Sequence, residues 1–194
     1  MRVNKSLLFG SLAVSAIASL AIGYALSRAD TAAGNSVDAV LTASSTPDLE
    51  PTLGTNAAMV GTRLAAVDLD VLNGAPVNTS TLLGTPLVIN FWTSSCRPCK
   101  KELPDFAAID KEFGDQVRIV GVNSLGPSES EESFARDRGV DYDLFYDTNG
   151  EFASQVGLAT QPVTLFVSAD GIVVKQTGEI DAAGLRAAIT ELLL

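Results

Sequence analysis

Cys96 and Cys99 are the two cysteines of this 194-residue chain, and only two residues separate them. Random placement of two cysteines would give this separation in about one arrangement in a hundred. A disulfide that closes so small a ring removes little entropy from the unfolded chain, so it would stabilise the fold only slightly. The spacing therefore favours reversible dithiol–disulfide chemistry, with the disulfide itself as the redox group and no further cofactor.

The composition excludes several other kinds of chemistry. The chain contains no histidine, so it has no imidazole base and cannot form a Ser-His-Asp triad. Two sulfur ligands without histidine also argue against a metal site. The formal net charge of -10 would repel nucleic acid and anionic membrane surfaces. We therefore expect a protein or a small thiol as the partner.

The cysteines follow a segment that predicts a buried strand and precede one that predicts a helix. Residues 87–92 are nearly all apolar, which indicates a central strand covered on both faces. The helix is predicted over residues 96–113, with Ser94 or Ser95 as its N-cap. Pro98 is tolerated there because the first turn of a helix leaves its N–H groups unpaired.

This arrangement assigns different roles to the two thiols. The positive end of the helix would stabilise a thiolate at Cys96 and lower the pKa of that thiol. Arg97 adds a nearby cation that acts in the same direction, although solvent weakens it. Cys96 is therefore the predicted nucleophile, and Cys99, one turn further along the helix, is the predicted resolving thiol.

The rest of the chain predicts alternating strands and helices. Asn73-Gly74 between residues 64–72 and 75–79 indicates a β-hairpin at the start of the domain. Ser128 and Glu131 form a capping-box pattern, and the charged side chains of residues 129–132 are expected to lie on a solvated helix face. Further strands are predicted at 117–122, 144–146, 163–167 and 172–176, and further helices at 128–138, 150–156 and 181–194. Together these elements predict a mixed central sheet with helices on both faces.

The N-terminal residues determine the expected compartment. Arg2 and Lys5 precede an uncharged, mostly apolar stretch over residues 6–27, which is long enough to span a bilayer. We therefore predict a signal anchor over residues 1–29, a flexible linker over 30–57 and one folded domain over 58–194. The basic flank would keep the N-terminus in the cytoplasm and the domain outside. Cleavage after Ala29, which would leave a soluble secreted protein, is the alternative.

Four motifs give the chain a family resemblance. They are Asn90-Phe91-Trp92, the cysteine pair followed by Lys100-Lys101-Glu102-Leu103-Pro104, Val120-Gly121-Val122-Asn123, and Gln161-Pro162-Val163-Thr164-Leu165-Phe166. With them the chain resembles the TlpA/ResA-like (DsbE-type) branch of the thioredoxin superfamily, which consists of membrane-anchored bacterial oxidoreductases. The resemblance implies a three-layer α/β thioredoxin-like fold with a leading β-hairpin. It also implies an inserted strand–helix unit at about 124–146.

The resemblance also implies roles for residues outside the cysteine pair. Pro162 would be a cis-proline beside the dithiol, leaving the backbone of Gln161 free to pair with a substrate strand. Glu102, three residues after Cys99, would accept and return the proton of that thiol. Asn90 stands where classical thioredoxins have a buried aspartate, and it cannot ionise. An ordinary trans proline and a solvated glutamate are the respective alternatives.

Three more residues are predicted to contact the partner. Arg97 and Pro98 lie between the two cysteines, and Trp92 either flanks the site or fills the core. Ser95 stands where relatives carry an aromatic residue, which would make the partner groove less hydrophobic.

The predicted function is disulfide exchange with exported proteins, and the resemblance implies apocytochrome c among them. A membrane donor or acceptor of the thiol–disulfide type would complete the electron path. The same residues would serve an oxidase that introduces disulfides, because the direction of electron flow depends on a reduction potential that cannot be read from the sequence.

A non-catalytic binding module with an inert disulfide is the alternative from another class. A peroxide-reducing enzyme would need an arginine and threonine cradle, and a copper carrier would need histidine.

Overall fold

The structure, a computed structural model, describes residues 55–194 of the chain. The predicted anchor and residues 30–54 of the predicted linker lie outside the described residues. Within residues 55–194, none of the helices is both long enough and apolar enough to cross a membrane. Packing of the domain begins before residue 58, because the N–H of Ala57 donates to the Gly157 carbonyl over 2.9 Å and the Ala57 side chain is buried.

The domain begins with a hairpin that is shorter than predicted. Its strands, β1 (Asp68–Leu69) and β2 (Val77–Asn78), pair antiparallel. Asn73 adopts φ +58° in the connection, as an Asn-Gly turn favours. Toward the turn the pairing ends because Asp70 pairs with Tyr146 instead, each N–H donating to the other's carbonyl over 2.9 Å. At the other end the Thr79 hydroxyl donates to the Ala65 carbonyl and accepts from the Val67 N–H.

A mixed sheet of five strands forms the centre of the domain. The strands are β3 (Leu87–Trp92), β4 (Arg118–Asn123), β5 (Asp143–Tyr146), β6 (Val163–Val167) and β7 (Val173–Thr177). Their spatial order is β5-β4-β3-β6-β7, with β3–β4 and β4–β5 parallel and β3–β6 and β6–β7 antiparallel. Every residue of β3 is buried, which confirms the predicted central strand.

Helices cover both faces of the sheet, as predicted. They are α1 (Arg97–Phe113), α2 (Glu129–Arg136), α3 (Glu151–Gln155) and α4 (Ala182–Leu192). Val88 and Trp92 of β3 belong to a buried cluster with residues of α1, α2 and α4. Ile89 and Phe91 belong to a second cluster with α3 and the hairpin. This alternation of side chains along β3 gives three layers, which confirms the thioredoxin-like fold class.

The start of α1 differs from the prediction. Cys96 is the N-cap of α1, and its sulfur accepts from the N–H of Cys99 over 3.2 Å. Ser94 and Ser95 therefore do not cap this helix. The reason is tertiary, because the N–H and hydroxyl of Ser94 both donate to the carboxylate of Glu131. The predicted inserted unit is present as α2 and the edge strand β5.

Candidate active site

The cysteine pair lies at the N-terminus of α1, directly after the central strand. Cys96 and Cys99 form a disulfide with their Cα atoms 5.3 Å apart. Cys96 is half-buried, whereas Cys99 is 0% exposed behind it. Because an attacking or attacked sulfur must be reachable, Cys96 is the sulfur that a partner can meet. The geometry supports the predicted division into a nucleophile and a resolving thiol.

Arg97 and Pro98 occupy the first turn of α1, between the two cysteines. Arg97 is exposed and Pro98 is half-buried, so both are available to a partner that approaches Cys96. The dipole of α1 gives this helix end a positive potential, the Cys99 N–H donates to the Cys96 sulfur, and the guanidinium of Arg97 adds to the potential. The prediction of a thiolate at Cys96 in the reduced protein rests on this potential.

Glu102 is buried inside the site and not solvated, so the solvated alternative is wrong. Its side chain is 1% exposed, one turn after Cys99 on α1. Its Oε1 accepts from Asn90 Nδ2 over 2.8 Å, and its Oε2 accepts from the Ile180 N–H over 3.3 Å. Burial raises the pKa of Glu102 to about 7, although these two hydrogen bonds act to lower it. Near neutral pH this carboxyl can therefore both accept and return a proton.

Asn90 and a surface pocket complete the surroundings of Glu102. Asn90 Nδ2 also lies 3.4 Å from the hydroxyl of Thr164, while Asn90 Oδ1 has no hydrogen-bond partner in the described part of the chain. A protonated Glu102 would offer that oxygen a donor after rotation of the Asn90 amide. A surface pocket of about 190 Å³ lies beside Glu102. It is lined by Lys101, Glu102, Asp105, Glu179, Ile180 and Asp181.

The stability of the oxidised protein is expected to depend on pH through Glu102. The native state holds the proton of Glu102 up to about pH 7, whereas the unfolded chain releases it near the ordinary value of 4.5. This contribution is therefore fully present below about pH 4.5 and is lost as the pH rises through about 7. The difference corresponds to about 3 kcal/mol of unfolding free energy.

Urea unfolding of the oxidised protein, followed by fluorescence of its single tryptophan, measures this dependence. Glu102→Gln should remove most of the slope between about pH 5 and 8, because few other groups titrate there in a chain without histidine. Burial also raises the pKa of Asp110, but that contribution is common to both proteins. Equal slopes in the wild type and the variant would contradict the prediction.

The predicted cis-proline is confirmed, and the trans alternative is wrong. The peptide bond between Gln161 and Pro162 is cis, and Pro162 is buried. Val163, the next residue, pairs with Phe91 near the end of β3, so Pro162 lies at the edge of the sheet from which the cysteine loop departs. Gln161 Nε2 donates to the hydroxyl of Ser124 over 2.6 Å. Its backbone N–H and C=O have no partner within residues 55–194.

Trp92 does not line the surface of the site. Its side chain is 0% exposed and stacks on Phe134 with the ring centroids 6.2 Å apart. The prediction that Trp92 binds the partner is therefore wrong for this structure, and the core-filling alternative is the one observed.

Glu131 is a site residue that the sequence prediction missed. Residues 129–132 were expected on a solvated face, but Glu131 is only 7% exposed. Ser128 caps α2 through the N–H of Glu131 over 3.4 Å, while the Glu131 carboxylate turns inward to Ser94. The sequence does contain a signal for the burial of Glu131, because Glu131 and the apolar Ala135 are four residues apart and share one helix face. Glu132 also departs from the prediction, since it binds Arg136 and the Tyr146 hydroxyl.

The comparisons with known proteins agree with this geometry. The model of the AhpC/TSA family matches residues 60–176, which contain the cysteine pair and the cis-proline. The thiol-disulfide oxidoreductase ResA of Bacillus subtilis is 33% identical over 108 residues, which cover 55% of this chain and 60% of ResA. The match thus spans less than two thirds of that relative. It confirms the predicted resemblance to the ResA-like branch.

Two solved structures confirm the fold. A putative thiol:disulfide interchange protein DsbE from Chlorobium tepidum superimposes with a TM-score of 0.63 at 20% identity, covering 70% of this chain and 98% of that one. A secreted Mycobacterium tuberculosis disulfide oxidoreductase homologous to E. coli DsbE gives a TM-score of 0.59 at 24% identity, covering 66% and 96%. At these identities the likeness shows the fold alone.

Proposed function

This chain belongs to the AhpC/TSA family, and we propose that it is an extracytoplasmic thiol-disulfide oxidoreductase acting through Cys96 and Cys99. The observation that carries the proposal is the placement of the pair. One sulfur is accessible at the positive end of α1, and its partner is fully buried within bonding distance. A structural disulfide would gain nothing from this asymmetry, whereas sequential exchange depends on it.

The exchange takes place in two steps. The Cys96 thiolate attacks a disulfide of the partner, so that a Cys96–partner disulfide forms and the first partner thiolate leaves. Cys99 then loses its proton and attacks the Cys96 sulfur, which forms the Cys96–Cys99 disulfide and expels the second partner thiolate. Two electrons pass from the dithiol to the partner. Run backward, the same steps oxidise a partner dithiol.

Residues outside the cysteine pair support these steps in the proposal. Glu102 takes the proton of Cys99 during the second step and returns it in the reverse direction. The unpaired backbone of Gln161, fixed beside Pro162, binds an extended segment of the partner as an added strand. Arg97 stabilises the thiolate of Cys96 and contacts the partner, together with Pro98.

The proposed location is outside the cytoplasm. The predicted anchor over residues 1–29, with Arg2 and Lys5 on its cytoplasmic flank, supports this location. Cleavage after Ala29 would give a soluble exported domain with the same site.

The proposed substrates are exported proteins that contain cysteine, with apocytochrome c among them as the resemblance to ResA-like proteins implies. A membrane protein of the thiol–disulfide type would restore the redox state of the pair after each turnover. The formal net charge of the chain, -10 at pH 7, supports a protein partner over nucleic acid.

Equilibration of the purified full chain with glutathione buffers tests the activity. We expect a midpoint potential between about -270 and about -120 mV, the range of known exchange proteins, with a low value indicating a reductase and a high value an oxidase. In intact cells, a membrane-impermeant maleimide should label Cys96 after mild reduction, since the site faces outward. A disulfide that does not equilibrate with glutathione would refute the proposed function.

A further inference from the structure

The carboxylate of Glu131 joins α2 to the loop that carries the nucleophile. Glu131 Oε2 accepts from the backbone N–H of Ser94 over 2.9 Å, and Oε1 accepts from the Ser94 hydroxyl. Ser94 lies two residues before Cys96. Glu131 Oε2 also accepts from Asn123 Nδ2 over 2.7 Å, at the end of β4. One buried side chain therefore holds the cysteine loop and the end of the neighbouring strand together.

The same contacts continue to the cis-proline loop. Asn123 Oδ1 accepts from the N–H of Leu125 over 2.8 Å, which orders the turn that contains Ser124. The Ser124 hydroxyl in turn accepts from Gln161 Nε2. Hydrogen bonds thus join Ser94 to Glu131 and Glu131 to Asn123, and the backbone from Asn123 to Ser124 completes the connection to Gln161. Its two ends are the segments that a partner would meet.

We propose that Glu131 is a positioning residue, which holds Cys96 in register with the partner-binding backbone at Gln161. The inference rests on the proposed function and adds a residue to it. A buried carboxylate is costly unless hydrogen bonds satisfy it, and three donors satisfy this one. The hydrogen bonds of its carboxylate go to Ser94 of the cysteine loop and to Asn123 at the end of β4, so its loss should affect the approach of a partner more than the intrinsic reactivity of Cys96.

Two reactions of the reduced protein separate these effects. Alkylation by iodoacetamide needs only the Cys96 thiolate. Exchange with an extended peptide, whose central cysteine is blocked as a disulfide with nitrothiobenzoate, also needs the peptide to be aligned at Gln161. Cys96 attacks the peptide sulfur and releases nitrothiobenzoate, which absorbs visible light; Cys99 then releases the peptide thiol. The first release gives the exchange rate directly.

Glu131→Ala should exchange with the peptide about tenfold more slowly, since small misplacements of reacting groups are costly. Its alkylation rate should stay within about twofold of the wild type. Glu131→Gln keeps the shape and one acceptor, so it should restore part of the loss and leave a defect of about threefold. Glu129→Gln is the matched control, because Glu129 is exposed on the same helix, and it should behave as the wild type.

Different failures have different meanings. A wild type that does not release nitrothiobenzoate refutes the proposed function before any variant is compared. Wild-type exchange in Glu131→Ala overturns the positioning role, and so does an equal fall of exchange and alkylation, which would indicate an altered thiol. If Glu131→Ala does not fold, the isosteric Glu131→Gln decides the question alone, and wild-type exchange in that protein overturns the inference.

Discussion

Cys96→Ser should lose at least about 10³-fold in the rate of disulfide exchange, because a serine hydroxyl is not a competent nucleophile without an activating base. Cys99→Ser should instead react with the partner once and stop. Its Cys96 can form the mixed disulfide, but no second thiol is present to resolve it. The covalent adduct should therefore accumulate and be released only by an added reductant.

Non-reducing electrophoresis and intact-protein mass measure both outcomes, with the peptide disulfide as the partner. Neither cysteine should be needed for folding, because the short ring of the disulfide contributes little chain entropy. Comparable urea midpoints for the two variants and the reduced wild type serve as the control. A stable adduct on Cys99 in the Cys96→Ser protein would contradict the assignment, since it would show that the buried sulfur is the one that partners reach.

The sequence could predict the parts of the site that depend on local pattern. The apolar run of β3, followed by two cysteines and a proline, defines a buried strand that leads into a helix N-terminus. The cis bond before Pro162 and the burial of Glu102 beside Cys99 were not deducible from local pattern and needed the family resemblance. The burial of Glu102 agrees with that resemblance, because its carboxyl contacts Asn90 on the adjacent strand.

The wrong predictions concern residues whose roles depend on tertiary contacts. Serine is a residue type that often caps helices, but the N–H and the hydroxyl of Ser94 both donate to Glu131 on α2, which is distant in sequence. Trp92 lies near the cysteines in sequence, yet the strand alternation directs it into the core beneath α2. The hairpin ladder ends early because Asp70 pairs with Tyr146 instead. The outcomes for Ser94 and for the hairpin depend on residues distant in sequence, which no local pattern identifies, whereas the alternation along β3 is itself a local signal for Trp92.

The second large effect is expected from Glu102→Gln, in the step that Cys99 performs. With the pKa of Glu102 at about 7, the fraction of ionised carboxylate rises through neutral pH, and so should the rate at which Cys99 resolves the mixed disulfide. The glutamine variant cannot accept the proton. Resolution in that variant should be about 10²-fold slower near pH 7 and should rise only where Cys99 ionises by itself.

Single-turnover quench experiments can isolate this step, because release of nitrothiobenzoate reports the attack by Cys96 and release of the peptide thiol reports the attack by Cys99. Only the second release should change in Glu102→Gln. Glu112→Gln is the control on the same helix, since Glu112 is exposed and bound to Arg186. If both proteins show the wild-type pH profile for the second release, Glu102 does not move the proton. The buried carboxyl would then take no part in the exchange, and the pH dependence of resolution would report the ionisation of Cys99 alone.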